Sequence, residues 1–594
     1  MKFRWTMAPP QPLLAETLAA SLKISPLLAQ CLLNRGFSEP ETIGKFLTPR
    51  LKNLADPFLL PNMATAVERL LLARERGESL VIFGDYDVDG VTSTALLLEV
   101  LSRLGWHVNA YLPNRMDEGY GLSRDGVENC LKKYSPSAEG SGATSPGATS
   151  PVKLLLAVDC GSTAVETISW LAEIGVEVIV LDHHQVSTPA PKAVALVNPQ
   201  LLPATGPWPS VIANFHELCS VGLAFKLVHA LLKRARETGL PGAAEFDLKP
   251  LLDLVALGTI ADIVPLTGEN RIFVTAGLEK LNITRRPGII ALKQVAQSPE
   301  KLGTHDVGFQ LAPRLNAAGR LETAEASLQL LLAETVAAAL PLAQNLDAHN
   351  RERQKIEKTI VEEVIGVVRL KFDAQKDFVI VESQLLWHIG VVGIVASRVL
   401  QEFYRPTLII GGENGEMRGS GRSIAGFDLA AALRECGDLL VRHGGHAMAA
   451  GLSVLPEKID LLRERLNAIA RRSLQPEDLQ PPLRLDAEVG LAELNCDSLA
   501  ELEKLKPTGM GNPPLQFCAR NLAHKKPLQR IGASKQHVKL WVTDGGVTHE
   551  AVWWNAGAGS LPVGKFDLAF APTLNEYNGR TTVQLKVLDW RPGS

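Results

Sequence analysis

Three aspartates in alternating positions are the residues of this sequence best suited to chemistry. They lie in Ser79–Thr94, SLVIFGDYDVDGVTST, where Asp85, Asp87 and Asp89 closely follow a short apolar run. Carboxylates this close together repel each other, which raises their pKa values unless a cation lies among them. Clusters of oxygen ligands suit Mg²⁺ or Mn²⁺. The spacing therefore predicts a divalent-cation site, although a solvated acidic turn is the ordinary alternative for an isolated run of this kind.

The residues on either side of these aspartates predict their place in a fold. Leu80–Phe83 is an apolar run with β-branched residues, as is typical of a buried parallel strand. Apolar residues recur with a helical period in the stretch that follows, Ala95–Leu104. The aspartates would then lie at the carboxyl end of a strand, where open α/β sheets bind their ligands. This position favours a metal site over a solvated turn.

Two later strand-like runs also end in residues that can bind metal. They are Asp159 after Lys153–Val158, and His183 and His184 after Val176–Leu181. A lone aspartate, Asp262, interrupts the apolar segment Gly258–Leu266, where by itself it would be predicted to cap a helix N-terminus. Because parallel strands bring their carboxyl ends to one edge, these side chains could converge with the three aspartates. Aspartates with a histidine describe a site for two metal ions, about 3.5–4 Å apart, that catalyses phosphoryl transfer.

Length and composition limit the class of protein. The 594 residues exceed what one hydrophobic core accommodates, so about two to four domains are expected. A net charge of −3 gives no sign of nucleic-acid binding by the whole molecule, so any such site must be local. The seven cysteines include no CxxC pair, which favours a reducing compartment over structural zinc or disulfides. Without a signal-like N-terminus or an apolar run of about 18 residues, we expect a cytoplasmic protein with no membrane contact.

Alternating strand and helix patterns from Ser79 to about Leu266 predict a doubly wound parallel sheet. Its strands are expected at Leu80–Phe83, His107–Leu112, Lys153–Val158, Val176–Leu181 and Ala193–Val197. Residues 135–151, which contain GATSP twice, are predicted to be a flexible surface insertion because the strand pattern resumes directly after them. Ser162 is placed to cap the helix after the third strand. The helical segments of residues 1–78 are expected to pack on this first sheet.

The middle of the chain carries an arginine motif suited to phosphate. Arg314 and Arg320 flank Asn316 in a stretch expected to be rich in turns. Their planar guanidinium groups match phosphate oxygens, although surface ion pairs are the alternative. A polar helix rich in Arg, Glu and Lys follows, at about residues 347–370, and is predicted to connect two lobes. Because acids are interspersed among its bases, a solvated surface is favoured over a basic patch.

A second α/β pattern covers residues 377–455, with strands expected at Phe378–Val381 and Pro406–Ile410 and a helix at Val391–Phe403. Small residues surround Arg422 and His446, so backbone N–H groups could form a concave site for phosphate. The HxxH spacing of His443 and His446 is a poor metal signal, because glycines between them leave no helix face.

Beyond Gln475 the sequence predicts a separate β domain, since alternating patterns with glycine-rich turns indicate a small β-barrel. Between Cys518 and Thr543 there are six Lys or Arg and no Asp or Glu. Basic grooves with stacking aromatic residues bind single strands without reading their sequence. The nearby tryptophans could equally be core residues, and we expect one of Trp553 and Trp554 to be buried.

In this order and context the motifs resemble those of the DHH phosphoesterase family. They are DYDVDG, the step DCGS, the triplet DHH at Asp182–His184, and GTIADIVPL. Later segments are similar to its RecJ branch: PNRMDEGYGLS at Pro113–Ser123, APRLNAAGR at Ala312–Arg320, WHIGVVGIVASR at Trp387–Arg398, GSGRS at Gly419–Ser423 and GGHAMAAG at Gly444–Gly451. The likeness spans roughly residues 60–590, and the insertion at 135–151 departs from it without touching a motif residue.

The resemblance implies an α/β fold: a parallel-sheet DHH domain, a smaller α/β DHHA1 domain joined to it by a long helix, and a C-terminal OB-like β-barrel. The expected boundaries are 1–78 for a helical N-terminal entry, 79–340 for the DHH catalytic domain, 341–372 for the connector helix, 373–475 for the DHHA1 domain and 476–594 for the OB-fold domain. The implied activity is a 5′→3′ exonuclease that degrades single-stranded DNA to 5′-mononucleotides in DNA repair and recombination.

The resemblance also implies roles for individual residues. Two Mn²⁺ or Mg²⁺ ions would be held by Asp85, Asp87, Asp89, Asp159, His183 and Asp262. His184 would contact the scissile phosphate and, with Asp89, is expected to be catalytic. The strand and its 5′ end would be bound by Arg115, Arg314, Asn316, Arg320, His388, Ser420, Arg422 and His446, and by Lys525, Lys526, Arg530 and Lys535 of the barrel. Expected partners are single-stranded DNA, a single-strand-binding protein and a helicase, with the chain itself a monomer.

Three other functions fit parts of the sequence. A DHH enzyme that cleaves short oligonucleotides or cyclic dinucleotides would lack the C-terminal barrel. An inorganic pyrophosphatase would have no use for a basic, aromatic barrel. A non-catalytic DNA-binding scaffold would have lost metal ligands, whereas every ligand position is filled here. The exonuclease is therefore the predicted function.

Overall fold

The chain folds into two compact units, each built from stretches that are separate in the sequence. The computed structural model describes residues 3–114, 118–119, 121–135, 151–202, 215–321, 323–413, 416–556, 561–577 and 579–593, so most of the predicted insertion 135–151 lies outside the described residues. One unit, here called the first, comprises Lys45–Glu352 and Pro507–Pro513. The second unit comprises Met1–Gly44, Arg353–Lys506 and Pro514–Ser594.

A five-stranded parallel sheet forms the centre of the first unit. Its strands are Ser79–Phe83, Val108–Tyr111, Val152–Val158, Glu177–Leu181 and Ala195–Val197. Ser79–Phe83 lies between Val108–Tyr111 and Val152–Val158, and the other two strands follow in chain order. The chain thus leaves Ser79–Phe83 toward one side and later continues on the other, which creates a topological switch point at the carboxyl end of that strand. All five predicted strands are confirmed.

Both faces of this sheet are buried, because alternate residues of each strand enter different cores. Leu80 and Ile82 pack into the larger core, whereas Val81 and Phe83 pack on the opposite face. Strands buried on both faces are continuously apolar, and this explains why the apolar runs in the sequence predicted these strands well. The helices of this unit include Met63–Glu75, Val88–Arg103, Arg124–Tyr134, Val165–Glu173, Ser220–Glu237, Leu252–Ala261, Gly268–Asn282, Pro287–Ala296, Ala312–Leu321 and Glu325–Leu332.

The stretch expected to be rich in turns around Arg314 and Arg320 is helical. A short helix at Thr304–Asp306 continues through a π-helical turn, Val307–Leu311, into Ala312–Leu321. Pro313 misled the prediction, because proline in the interior of a helix usually breaks it. The wide π turn ends at Leu311, two residues before this proline, and the helix continues through Pro313.

The N-terminal residues also differ from the expectation that all of 1–78 packs on the first sheet. Arg4–Met7 is a strand that pairs in parallel with Pro482–Leu485 of the second unit. Arg35 forms an ion pair with Asp486 at 3.0 Å in the same unit. A four-residue strand whose partner is far away in sequence leaves no pattern to predict it. Among the residues that the structure describes, no single helix is long and apolar enough to cross a membrane. One bent pair of helices, Pro12–Leu22 with Pro26–Leu33, has the length and composition of a membrane span, and by those two criteria only.

A mixed five-stranded sheet lies in the second unit. Its spatial order is Leu440–His446, Ala449–Val454, Glu416–Arg422, Thr407–Glu413 and Ile380–Gln384, with only the last two parallel. The helices of this part are Val392–Phe403, Leu429–Glu435 and Ile459–Ser473. The glycine-rich segments at 419–423 and 444–451 lie largely in paired strands, so most of their N–H groups face neighbouring strands instead of forming the expected phosphate nest. Their small size serves packing, since a Cβ on Gly421 would lie 2.5 Å from Leu429 Cδ2.

A helix of 36 residues, Val336–Lys371, contains the boundary between the two units. It begins before residue 341, where the connector helix was predicted to start, and Pro341 lies within its early turns.

The C-terminal strands close into a ring. They are Ala487–Glu488, Phe517–His524, Gln529–Ile531, His537–Thr543, Thr548–Trp553, Phe566–Tyr577 and Arg580–Pro592. Phe517–His524 pairs with both Phe566–Tyr577 and His537–Thr543, so five strands form a closed circuit, as expected of an OB-like barrel. The expectation that one of two tryptophans is buried is wrong: Trp553 is half-buried and Trp554 is 48% exposed, because the strand ends at Trp553.

Candidate active site

The loop after Ser79–Phe83 is held tightly at the switch point. Asp87 is the N-cap of helix Val88–Arg103, and its Oδ1 accepts the N–H groups of Asp89 and Gly90 at 2.9 and 3.1 Å. Asp85 is buried beneath this turn. Gly90 permits the close approach, since a Cβ there would lie 2.5 Å from the Asp85 carbonyl oxygen. The glycine of DYDVDG therefore sets the spacing of the carboxylates.

A second helix N-terminus fixes Asp89. Both carboxylate oxygens of Asp89 accept backbone N–H groups at the start of helix Ser220–Glu237, from Ser220 at 2.7 Å and Val221 at 2.8 Å. The Ser220 hydroxyl donates to Asp159 Oδ1 at 2.8 Å. Ser220 thus links two of the predicted ligands, a role that no motif in the sequence indicated.

Asp159 turns the chain at the end of the neighbouring strand. Its φ of 63° lies in the left-handed region, and Gly161 has a φ of 107° two residues later. Non-glycine residues adopt this region at some cost, and such residues cluster at functional sites. One oxygen each of Asp85, Asp87 and Asp159 lies within 4.8 Å of the others.

His183 is the centre of the cluster. Its Nε2 lies 3.4 Å from Asp159 Oδ1, 3.7 Å from Asp262 Oδ2 and 4.0 Å from Asp89 Oδ2. Asp262 follows helix Leu252–Ala261 at its C-terminal end. It is therefore not the N-cap that its isolated sequence context suggested. The structure brings all six predicted metal-ligand residues to one edge of the sheet.

The donor atoms of this cluster fit a cation. Burial, together with the charge of Asp87, raises the pKa of Asp89 to about 7, and burial with the charge of Asp89 raises the pKa of Asp262 to about 9. Burial also lowers the pKa of His183 to about 4, so its imidazole is neutral and able to bind metal. His183 Nε2 and Asp262 Oδ2 are buried and have no hydrogen-bond partner among the described residues. Divalent cations would neutralise these carboxylates and use both of these atoms.

His184 has a different environment from His183. Its Nδ1 lies 2.7 Å from Asp182 Oδ1. Burial opposes a charge on this imidazole, but the hydrogen bond to Asp182 outweighs it and raises the pKa of His184 to about 9. His184 is therefore an imidazolium at neutral pH, a group suited to a phosphate oxygen.

Asp182 is a second residue of this site to which the sequence analysis assigned no role. Its Oδ2 accepts the N–H of Ser162 at 3.0 Å, and its Oδ1 accepts those of His183 and His184. The sequence could have indicated a role for Asp182, because it follows a predicted strand, as the other carboxylates at strand ends do. Ser162 is not the helix cap that we expected: Ala164 has that position, and the Ser162 hydroxyl accepts from Asn198 at 2.8 Å.

The helix Ala312–Leu321 packs on the aspartate loop. Asn316 Oδ1 accepts the N–H of Val88 at 3.1 Å, and a Cβ on Gly319 would lie 2.8 Å from the Tyr86 carbonyl oxygen. Arg314 is engaged by Asp347, with Nε 2.9 Å from Oδ1. Arg320, the other arginine of this helix, is only partly buried. Asn316 therefore supports the loop, and Arg314 matches the ion-pair alternative considered for it.

In the second unit, several predicted strand-binding residues share one face of the mixed sheet. Arg422 Nη1 donates to Ser420 Oγ at 3.0 Å. Ala449 pairs with both Arg422 and His446, so all three lie in one register row with side chains on the same face. Gly393, in the first turn of helix Val392–Phe403, lies against Ser420 and Arg422, because a Cβ on it would be 3.0 Å from Ser420 Oγ. His388 Nδ1 accepts the N–H of Gly390 in the turn before that helix.

The four basic residues of the barrel that were predicted to bind the strand are exposed. They are Lys525, Lys526, Arg530 and Lys535. Lys526 Nζ lies 3.7 Å from the ring centre of Trp541, a cation–π contact that places a charge beside an aromatic face. Arg115, the remaining predicted strand-binding residue, lies outside the described residues.

Comparison with known families agrees with this architecture. The model of the DHH family, N-terminal domain, matches residues 79–259, and that of the DHHA1 domain matches residues 376–472. These two matches define the class as a DHH protein with a DHHA1 domain. The model described as RecJ OB domain matches residues 485–589.

Individual relatives narrow the class. The chain is 37% identical to the single-stranded-DNA-specific exonuclease RecJ of Bacillus subtilis, over 99% of this chain and 71% of that protein. Its structure is similar to crystal structures of Thermus thermophilus RecJ in complex with Mn²⁺ (TM-score 0.81, 29% identity, 100% of this chain and 80% of that one) and with Mg²⁺ (TM-score 0.75, 28% identity, 100% and 79%). The chain belongs to the RecJ family.

Proposed function

We propose that this protein is a metal-dependent 5′→3′ exonuclease that hydrolyses single-stranded DNA to 5′-mononucleotides in DNA repair and recombination. The observation that carries the proposal is the position of His183 Nε2, within 4.0 Å of three carboxylates at the switch point of the sheet. Membership of the RecJ family supports single-stranded DNA as the substrate, since the relatives are named for that specificity.

The proposed metal ligands are Asp85, Asp87, Asp89, Asp159, His183 and Asp262, which would hold two Mn²⁺ or Mg²⁺ ions. When bound, the ions supply a water made nucleophilic at neutral pH and neutralise charge on the phosphodiester. RecJ of Thermus thermophilus has been crystallised with each of these metals.

The residues beside the ligands orient the substrate. The His184 imidazolium would bind a non-bridging oxygen of the scissile phosphate and stabilise the negative charge that develops there. Asp182 holds this imidazole through Nδ1, and Nε2 is the nitrogen that we propose contacts the substrate. Asn316 keeps the aspartate loop in place through Val88.

Residues of the second unit would hold the strand. Ser420 and Arg422 lie beside the N-terminus of helix Val392–Phe403, where the helix dipole also attracts anions, and this combination suits a 5′-terminal phosphate. His388 and His446 are proposed to contact the neighbouring nucleotides, as are Arg115 and Arg320.

The domain boundaries predicted from the sequence give a division of labour: catalysis in 79–340, binding of the 5′ end in 373–475, and binding of the trailing strand by the barrel in 476–594. The proposed protein partners are a single-strand-binding protein and a helicase, because this activity requires a strand that has been unwound. We place the enzyme in the cytoplasm as a monomer.

The direct test uses oligonucleotides of about 30 nucleotides labelled at either end, single-stranded or duplex, with Mn²⁺, Mg²⁺ or EDTA. The expected result is release of mononucleotides from the 5′ end of the single strand, with either metal and not with EDTA. Release first from the 3′ label would contradict the polarity, and equal rates on blunt duplex would contradict the single-strand specificity.

A further inference from the structure

The turn that carries Asp262 is strained. Ile263, the next residue, has a φ of 62° although it is β-branched, and its side chain is 65% exposed. A β-branched residue in the left-handed region is a genuine outlier and persists only where the surroundings enforce it. The residues that enforce this turn therefore help to place the Asp262 carboxylate.

Part of that support comes from a distant segment of the chain. Pro507–Pro513 belongs to the first unit, whereas the chain on both sides of it belongs to the second. The carbonyl oxygen of Met510 accepts the N–H of Leu266 at 2.7 Å. The carbonyl oxygen of Thr508 accepts the hydroxyl of Thr304 at 2.7 Å, which fixes the segment at a second point.

The segment is itself rigid. Asn512 is fully buried, and its Nδ2 donates to the Pro507 carbonyl oxygen at 2.9 Å. Gly509 and Asn512 also exchange backbone hydrogen bonds. Gly511 packs closely on the turn after Asp262: its φ is 70°, and a Cβ on it would lie 2.8 Å from Pro265 Cβ.

We infer that Pro507–Pro513 is a positioning segment for Asp262, so that metal binding in the sheet edge depends on residues far along the chain. The inference rests on the proposed metal site. Groups that orient a metal ligand without touching the metal typically change metal affinity by about 10–100-fold when removed. Gly511 and Asn512 are therefore positioning residues. We expect their substitution to lower the affinity for the metal while changing the melting temperature little.

The experiment compares Gly511→Ala with Gly239→Ala in the full-length protein. Both glycines have a φ of 70°, but a Cβ on Gly239 meets nothing within 4 Å. The two variants therefore share the backbone strain, and only Gly511→Ala adds a steric clash with Pro265. Mn²⁺ binding is measured by calorimetry on the metal-free protein, with thermal melts alongside. We expect similar melting temperatures and a loss of Mn²⁺ affinity of about 10–100-fold in Gly511→Ala alone, with activity restored by excess Mn²⁺.

A second pair covers the case in which Gly511→Ala does not fold. Asn512→Ala removes the bond to Pro507, and Asn495→Ala removes a cap, to Ser498 N at 2.9 Å, in the second unit. Equal Mn²⁺ affinity of each variant and its control would overturn the positioning role. Failure of the unaltered protein to bind Mn²⁺ would instead contradict the proposed function itself.

Discussion

At the scale of single residues, the buried carboxylates of the candidate metal centre destabilise the folded protein when no cation is bound. Burial raises the pKa of Asp159 well above its usual value, and the charges of Asp89, Asp87 and Asp85 add to the effect. Active sites commonly trade stability for function in this way. The cost should be measurable on the metal-free protein.

Asp159→Asn tests this trade-off. It removes one carboxylate from the cluster, so in EDTA we expect the variant to be more stable than the unaltered protein by about 0.5–2 kcal/mol. Added Mn²⁺ should raise the melting temperature of the unaltered protein strongly and that of the variant weakly, because binding to the folded state alone stabilises it. Hydrolysis should be lost while single-strand binding persists. Near-normal turnover of the variant with Mn²⁺ would show that Asp159 is not a ligand.

Arg422→Ala tests recognition of the strand end. The guanidinium beside Ser420 should contribute a charge-assisted hydrogen bond to a 5′ phosphate, worth about 1.5–3 kcal/mol, or roughly 10–150-fold in kcat/KM. A substrate with a 5′ hydroxyl should be affected much less. Arg434→Ala is the matched control, an exposed arginine on helix Leu429–Glu435 of the same unit. An equal loss on both substrates would remove Arg422 from the end-binding site.

At the scale of elements, the sequence predicted secondary structure best in segments whose residues must be apolar because they are buried. The parallel strands were found within two residues at either end, because a strand buried on both faces is apolar throughout. Four of the carboxylates could be placed at one edge for the same reason. Pairings between distant segments were not predictable: Arg4–Met7 with Pro482–Leu485, or Ser220 with Asp159, depend on the folded chain and leave no periodic signal.

One buried ion pair connects elements that no sequence pattern linked. Lys226, on helix Ser220–Glu237, is fully buried, with Nζ 2.7 Å from Glu269 Oε2 on helix Gly268–Asn282. It also donates to the Ala55 carbonyl oxygen at 2.9 Å, and the N–H of Ala55 donates back to Glu269. The pair thus fixes the chain around Ala55 to two helices behind the metal site.

Lys226→Met should destabilise the first unit by about 3–5 kcal/mol, because it leaves the Glu269 carboxylate buried without its partner. The control is Lys233→Met on the same helix, which breaks an ion pair with Asp56 in which both side chains are nearly half exposed; it should cost about 1 kcal/mol or less. Urea denaturation measures both. The additional change Glu269→Gln should recover part of the loss in the Lys226 variant, and no recovery would argue that packing, not charge, dominates there.

At the scale of the whole molecule, charge is distributed unevenly. The net charge of −3 provides no general attraction for DNA, whereas residues 518–543 of the ring of strands carry six basic and no acidic side chains. Exposed Lys526 beside Trp541 combines charge with an aromatic face. We therefore expect the barrel to supply much of the affinity for a long strand.

Deleting the barrel is a poor test of this expectation. A deletion from residue 481 would remove Pro507–Pro513 from the first unit and Pro482–Leu485 from its pairing with Arg4–Met7. Four simultaneous substitutions to alanine avoid both losses, at Lys525, Lys526, Arg530 and Lys535. The matched control changes four exposed bases of the long helix, at Lys355, Lys358, Arg369 and Lys371, and so removes the same charge.

The barrel variant should bind long single strands more weakly, and its affinity should depend less on salt. Each phosphate contact on a single strand contributes roughly 0.7 to the slope of log affinity against log salt, so four lost contacts should reduce the slope by about 3. Fluorescence anisotropy at several salt concentrations measures this change. Hydrolysis of very short oligonucleotides should be unaffected, since they are held by the residues proposed to bind the 5′ end. An unchanged slope in the barrel variant, equal to that of the control, would mean that the barrel is structural and that other surfaces hold the strand.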